Sequence, residues 1–157
     1  MFIPLFMAFY AIAYITVSIL SALFFTGKLP RFGRESARSI AILAVLIAAV
    51  FAVVALIPGE ELGNRFQHAV GGGVLGIVLC VLVFRDQRIR VKRFQFLVWS
   101  VLVVTALGVG NELFEFFAQS FSTIVFADNP LDTWRDLASN MVGIAVAAPA
   151  AALLRRV

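Results

Sequence analysis

Five stretches of this sequence are apolar enough and long enough to cross a lipid bilayer, which removes most of the folds open to a chain of 157 residues. A hydrocarbon core of ~30 Å takes about 20 helical residues. Within it every backbone N–H and C=O must be paired internally, which helices achieve one segment at a time. The blocks run from about Pro4 to Phe25, Ser39 to Ile57, Asn64 to Phe84, Phe94 to Phe117 and Pro130 to Leu154. Gly27 with Pro30, and Pro58 with Gly59, mark the first two breaks, as residues that end helices do. Asn129 as cap, Pro130 at the first helical position and Asp132 in the first turn mark the start of the last block.

Composition points the same way. Hydrophobic residues make up 62% of the chain and charged residues 14%, against roughly 45–50% and 25% in soluble domains, so the charges are too few to coat a soluble particle. The expected fold is all-α: a polytopic helical membrane protein, one transmembrane domain over residues 1–157 with five spans. No repeat, linker or low-complexity segment divides it. The first block has no Lys or Arg ahead of it and exceeds the length of a signal-peptide core, so it reads as a span rather than a cleaved leader. Cys80 stands alone inside an apolar block, which excludes a disulfide framework.

The net charge of +4 could suit nucleic acid, but the cations sit in short segments between apolar blocks. There they orient a membrane protein, and nucleic-acid binding is excluded. Lys28, Arg31, Arg34 and Arg38 follow the first block, Arg85, Arg88, Arg90, Lys92 and Arg93 the third, and Arg155 and Arg156 the fifth. The intervening segments carry Glu60, Glu61 and Arg65, then Asp128, Asp132, Arg135 and Asp136. Five spans alternate these sets without conflict, predicting the N-terminus outside and the C-terminus inside. A bacterial cytoplasmic (inner) membrane is the expected location.

Polar residues inside the spans gather at one depth. Counting ~1.5 Å per residue from the inner ends puts His68 roughly 24 Å up, Glu112 roughly 27 Å, Glu115 roughly 32 Å, Asn140 roughly 21 Å and Asp136 roughly 27 Å. Arg65, His68 and Gly72 share one face of the third helix, Glu112 and Glu115 one face of the fourth, and Asp132, Asp136, Asn140 and Gly143 one stripe of the fifth. Ionisable groups at such depths face the protein interior or a wet cavity, and their convergence marks a candidate site. His68, Glu112, Glu115 and Asp136 are the candidate catalytic or metal-ligating residues. Asn140 is a binding candidate in the same cavity, and Arg65, Asp132 and Arg135 are binding candidates at its rim. The competing explanation is a structural network in which Glu112, Glu115 and Asp136 pair with Arg65 and Arg135. One imidazole among carboxylates suits a divalent cation, with oxygen favouring Mg, Ca or Mn and imidazole admitting Zn or Fe. The same groups could also carry acid/base work without metal. The run Gly71, Gly72, Gly73 with Gly76 reads as a close helix-packing surface rather than a phosphate cradle. It is also the candidate contact for a second copy or a membrane partner. Trp134 and Trp99 fall where outer and inner aromatic belts are expected.

Arg65-x-x-His68-x-x-x-Gly72, Glu112-x-x-Glu115-Phe116 and Asp132-Thr133-x-x-Asp136-Leu137, in that order, resemble the successive motifs of bacterial inner-membrane proteins of the YjdF type. Asp136-x-x-x-Asn140-x-x-Gly143 is similar to the last motif of VanZ-like proteins, small helical membrane proteins associated with the cell envelope. The resemblance covers roughly residues 60 to 145 and implies a helical membrane fold with a polar cluster.

The leading functional expectation is a membrane protein with an outward-facing His/carboxylate/Asn site, holding a divalent cation and binding or acting on a lipid-linked or cell-envelope substrate. Whether it is an enzyme stays open. A small transporter or channel is the first alternative. Against it, no ionisable residue falls in the inner half of any block as bounded above, and no broken-helix pair is evident. An accessory subunit that packs through the glycine face is the second.

Overall fold

A computed structural model describes residues 3–121 and 130–154, all the regular structure of which is helical. Its elements are α1 (Ile3–Thr26), α2 (Arg34–Val54), α3 (Glu60–Asp86), α4 (Arg93–Phe121) and α5 (Pro130–Leu154). All five are long and apolar enough to span a membrane. Against the expected bounds, α2 starts at Arg34 rather than Ser39 and stops at Val54, while α3 starts at Glu60 and runs on to Asp86. Pro130 opens α5 as expected, whereas Asn129, Asp128, Arg155 and Arg156 lie outside the described residues.

Helix ends are set by backbone chemistry. Gly27 takes φ 65 and donates to the Leu23 carbonyl at 3.0 Å, closing α1 with the left-handed residue that glycine adopts without a Cβ penalty. Gly59, at φ 88, turns the chain between α2 and α3. The end of α3 is different. Arg88 N–H bonds to Arg85 O and Ile89 N–H to Phe84 O, the paired pattern of a Schellman cap, so the left-handed position is held by Arg88 at φ 54.

The middle of α3 is not α-helical. Gln67–Val74 forms a π-helical segment, the wider turn that tends to appear at functional positions. It contains His68 and the three consecutive glycines. α3 is the axis of the bundle: half of its apolar window is buried, against about a quarter for the other four helices. Tyr14 and Val17 of α1, Leu43 of α2, Phe96 of α4 and Ile144 of α5 share one buried core with Leu79, Cys80, Val83 and Phe84 of α3. Lipid offers no hydrophobic drive between helices, so close backbone approach carries the association. The tightest crossing is between α3 and α5. A Cβ on Gly143 would overlap the Ala69 carbonyl and stand 3.0 Å from Gly73 Cα, and one on Gly73 would stand 2.5 Å from the Asn140 carbonyl oxygen.

The glycine face is thereby accounted for within the chain. Gly72 and Gly73 meet α5, Gly76 meets Val104 of α4, and Gly71 meets Val50 of α2. The packing reading holds. Neighbouring helices meet all four; Gly73 and Gly76 are buried, while Gly71 and Gly72 stay partly exposed. Trp99 also differs from a simple belt residue: it stacks on Phe24 at 4.9 Å and donates from Nε1 to Ser21 Oγ at 2.9 Å. Trp134 is 69% exposed, as a belt residue would be.

Candidate metal centre

His68 comes from the π segment of α3, Glu112 from α4 and Asp136 from α5, and each is at most 7% exposed. One ligand-capable atom from each lies within 4.8 Å of the other two. The imidazole sits between the acids: Nδ1 is 3.9 Å from Glu112 Oε1 and Nε2 is 3.3 Å from Asp136 Oδ2. The widened turn and the glycines within it are what allow this. They let α5 approach closely enough for Asp136 to reach the same ring that faces α4.

The group is underpaired. Asp136 Oδ1 accepts from Asn64 Nδ2 at 2.9 Å, but Glu112 Oε1 is buried without a hydrogen-bond partner. Neither carboxylate has an Arg or Lys nitrogen within 4 Å among the described residues. With both carboxyls ionised and the imidazole neutral, the three groups would carry −2, the charge a single divalent cation cancels. Left alone, such groups face a desolvation penalty of several kcal/mol per ion. Metal bonds of about 2.0–2.2 Å place tetrahedral ligands about 3.4 Å apart, so side-chain rotations of modest size would close these atoms onto one ion.

The other expected site residues divide. Asn140 is 5% exposed and wedged between Gly72 and Gly108, where a Cβ on Gly72 would overlap its Oδ1 and one on Gly108 would stand 3.2 Å from its Nδ2. Its Oδ1 is also buried without a hydrogen-bond partner. Glu115 does not join the three: it is half-buried and accepts from Asn111 Nδ2 at 2.7 Å on its own helix. It lies one turn beyond Glu112 and is not among the three groups that share the imidazole. Asp132 is half-buried, one turn ahead of Asp136. Arg65 and Arg135 converge on exposed Glu61, at 2.5 Å and 3.2 Å. The structural network expected between these arginines and the buried acids therefore does not form, since the more accessible Glu61 takes both cations.

Beside the imidazole lies a cavity of about 50 Å³, walled by Phe6, Phe9 and Phe51 and floored by Gln67, His68, Asn111 and Asn140. The Tyr10 hydroxyl, also on its wall, donates to the Gly71 carbonyl. At roughly 30 Å³ per liquid water, the space suits a small polar group or a few waters rather than a lipid chain.

Sequence reasoning missed two participants. Asn64 was visible one turn before His68 on the same face, the spacing that brings side chains together. Asp86 was passed over as a loop charge. The Asp86 side chain is 1% exposed and Oδ2 accepts from the Tyr14 hydroxyl and from Ser39 Oγ, each at 2.6 Å. Oδ1 accepts from Arg85 Nε at 2.9 Å. Asp86 falls just past the third block as the sequence bounds it; α3 continues two residues beyond Phe84 and turns Asp86 inward.

Compared with known proteins, the chain matches over residues 5–156 a family described as predicted membrane proteins, DUF2238. That match takes in α1 and α2, where no motif had been seen. No curated protein and no solved structure matches. The chain belongs to the DUF2238 family of predicted membrane proteins.

Proposed function

We propose that this protein binds a divalent cation through His68, Glu112 and Asp136, and uses it to hold or act on the polar end of a lipid-linked or cell-envelope molecule. The observation that carries this reading is a buried set of three ligand-capable groups within 4.8 Å that includes a carboxylate oxygen with no partner. The apolar wall and polar floor of the adjoining cavity support an amphipathic substrate, whose headgroup alone would enter. Asn140 is placed on that floor to orient it.

In this proposal the centre faces the outer side of a bacterial inner membrane, with the N-terminus outside and the loop after α3 in the cytoplasm. The Lys/Arg-rich segments supply the argument. A cysteine placed at Arg88 tests it: resistance to an impermeant reagent in intact cells is expected, and labelling would reverse the orientation. A kinship with YjdF-type proteins accords with the family match; a VanZ-like relation rests only on the Asp136, Asn140 and Gly143 spacing. The transport and accessory-subunit alternatives have less to stand on. Asp86 is fully paired, and neighbouring helices meet the glycine face.

The test is metal analysis of the purified chain beside Glu112→Gln and Asp136→Asn. About one Zn, Mn or Fe per parent chain, lost in both variants, is expected. Equal metal content in parent and variants would overturn the assignment.

A further inference from the structure

The basic end of the bundle carries a second feature, independent of the metal centre. Between the ends of α3, α4 and α5 lies a groove of about 1090 Å³ lined by Arg85, Arg88, Arg90 and Lys92 and by no Asp or Glu. Arg85 is already engaged by Asp86 and Ser39. Arg88, Arg90 and Lys92 make no ion pair among the described residues. Apart from Gln95 the rest of its lining is apolar, with Val81 and Phe84 from α3, Phe96 from α4, and Ala151 and Leu154 from α5.

The cations stand on a fixed frame. Ile89 is 3% exposed and anchors the loop in the core. Gln87 trades hydrogen bonds with the backbone of Arg31, accepting from its N–H at 2.9 Å and donating to its carbonyl at 3.2 Å. Lys92 N–H is held by Gln95 Oε1 at 3.0 Å. Arg88 occupies the left-handed cap position that glycine fills without strain, so its side chain is kept there at a conformational cost. Strain of this kind gathers at ligand clamps.

We infer that this groove is a binding site for an anionic phospholipid of the adjoining leaflet, its phosphate held by Arg88, Arg90 and Lys92 and one acyl chain laid along the seam between α3 and α5. Basic pockets between transmembrane helices take phospholipid headgroups in this manner. A concave, preformed arrangement distinguishes it from a loop that only skims a charged surface.

The experiment is thermal melting of the full chain in neutral detergent with added phosphatidylglycerol, phosphatidylcholine or inorganic phosphate. Phosphatidylglycerol is expected to raise Tm by about 4 °C or more, and the other two by under about 1 °C. The double variant Arg90→Gln, Lys92→Gln should lose most of that shift, while Lys28→Gln with Arg34→Gln, outside the groove, should keep it. Arg88→Gly gives a readout of opposite sign: its lipid-free Tm should rise by about 2–4 °C as the strain is relieved, while its lipid-induced shift falls. An equal shift with phosphatidylcholine, or with inorganic phosphate, would overturn the proposal. So would equal loss in the Lys28 and Arg34 control, which would leave only diffuse surface charge.

Discussion

At one end of α3, Asp86 accepts three hydrogen bonds from Tyr14, Ser39 and Arg85 and draws α1, α2 and α3 together. At the other, Glu112 and Asp136 share one imidazole; Asp136 accepts from Asn64, while Glu112 Oε1 is buried with no hydrogen-bond partner. Both nodes bury carboxylates, but only the first finds its full complement of donors inside the chain. Burial of an acid therefore does not separate scaffold from site in this bundle; completeness of pairing does. A saturated node is a clamp, and an unsaturated one has valence left for something the chain does not supply.

The comparison can be broken most forcefully at the helix crossing. Gly143→Ala puts a methyl into the Ala69 carbonyl and toward Gly73, and overpacking of this severity should cost about 3 kcal/mol or more. The protein should yield little folded material, and what folds should have lost its cation response, because α5 carries Asp136 away with it. Normal yield and normal cation response would mean the crossing does not set the centre.

Asp86→Ala comes next. It removes the acceptor of the buried Tyr14 and Ser39 hydroxyls and of Arg85 Nε, for a loss of about 3 kcal/mol. Melting in detergent should fall by several degrees whether or not cations are present. An unchanged melt would remove the distinction between the nodes.

Glu112→Gln should behave in the opposite sense. Without added cation its stability should match or exceed the parent, because a buried charge is gone. With cation at 100 times the dissociation constant the parent gains about 2.7 kcal/mol, a gain the variant should not show in the same melting assay. A large cation-free loss in Glu112→Gln would instead make the His68 node a clamp like the Asp86 one.

The smallest effect is reserved for Tyr14→Phe. It removes one donor of several to Asp86 and should cost about 1 kcal/mol, readable as a small drop in Tm with the cation response intact. A lost response would show that the two nodes are coupled through α1.

The spans and their loop charges were legible because lipid imposes one simple rule on every residue of a long helix. The convergence of His68, Glu112 and Asp136 was legible too, since depth and helical face follow from counting. What counting could not give was the partner of each charge. Arg65 and Arg135 were equally able to reach the buried acids, and only the crossing of α3 with α5 sends both to Glu61. Glu115 shares a face with Glu112, yet one further turn is enough to leave it with Asn111. Asp86 was hidden because a lone acid beside Arg85 looks like any solvated pair until the helix is seen to continue under it. The glycine run announced close packing but not its direction, which depends on which neighbour has a matching small residue; Gly143 supplies it.

The π-helical stretch at Gln67–Val74 has a further consequence. Such a stretch is an α-helix carrying one surplus residue, so it offsets the phase of everything before it by about 100° relative to an unbroken helix. Glu60–Phe66 thus turns a different face to the bundle from the one an unbroken helix through Leu75–Asp86 would give it, although the two belong to one rod. Like a cam on a shaft, the extra residue lets one helix present Glu61 and Asn64 to α5 while its lower half keeps its own contacts with α1 and α2. A single-residue deletion there would leave hydropathy and length almost untouched and still rotate the outer turn of the shaft out of mesh.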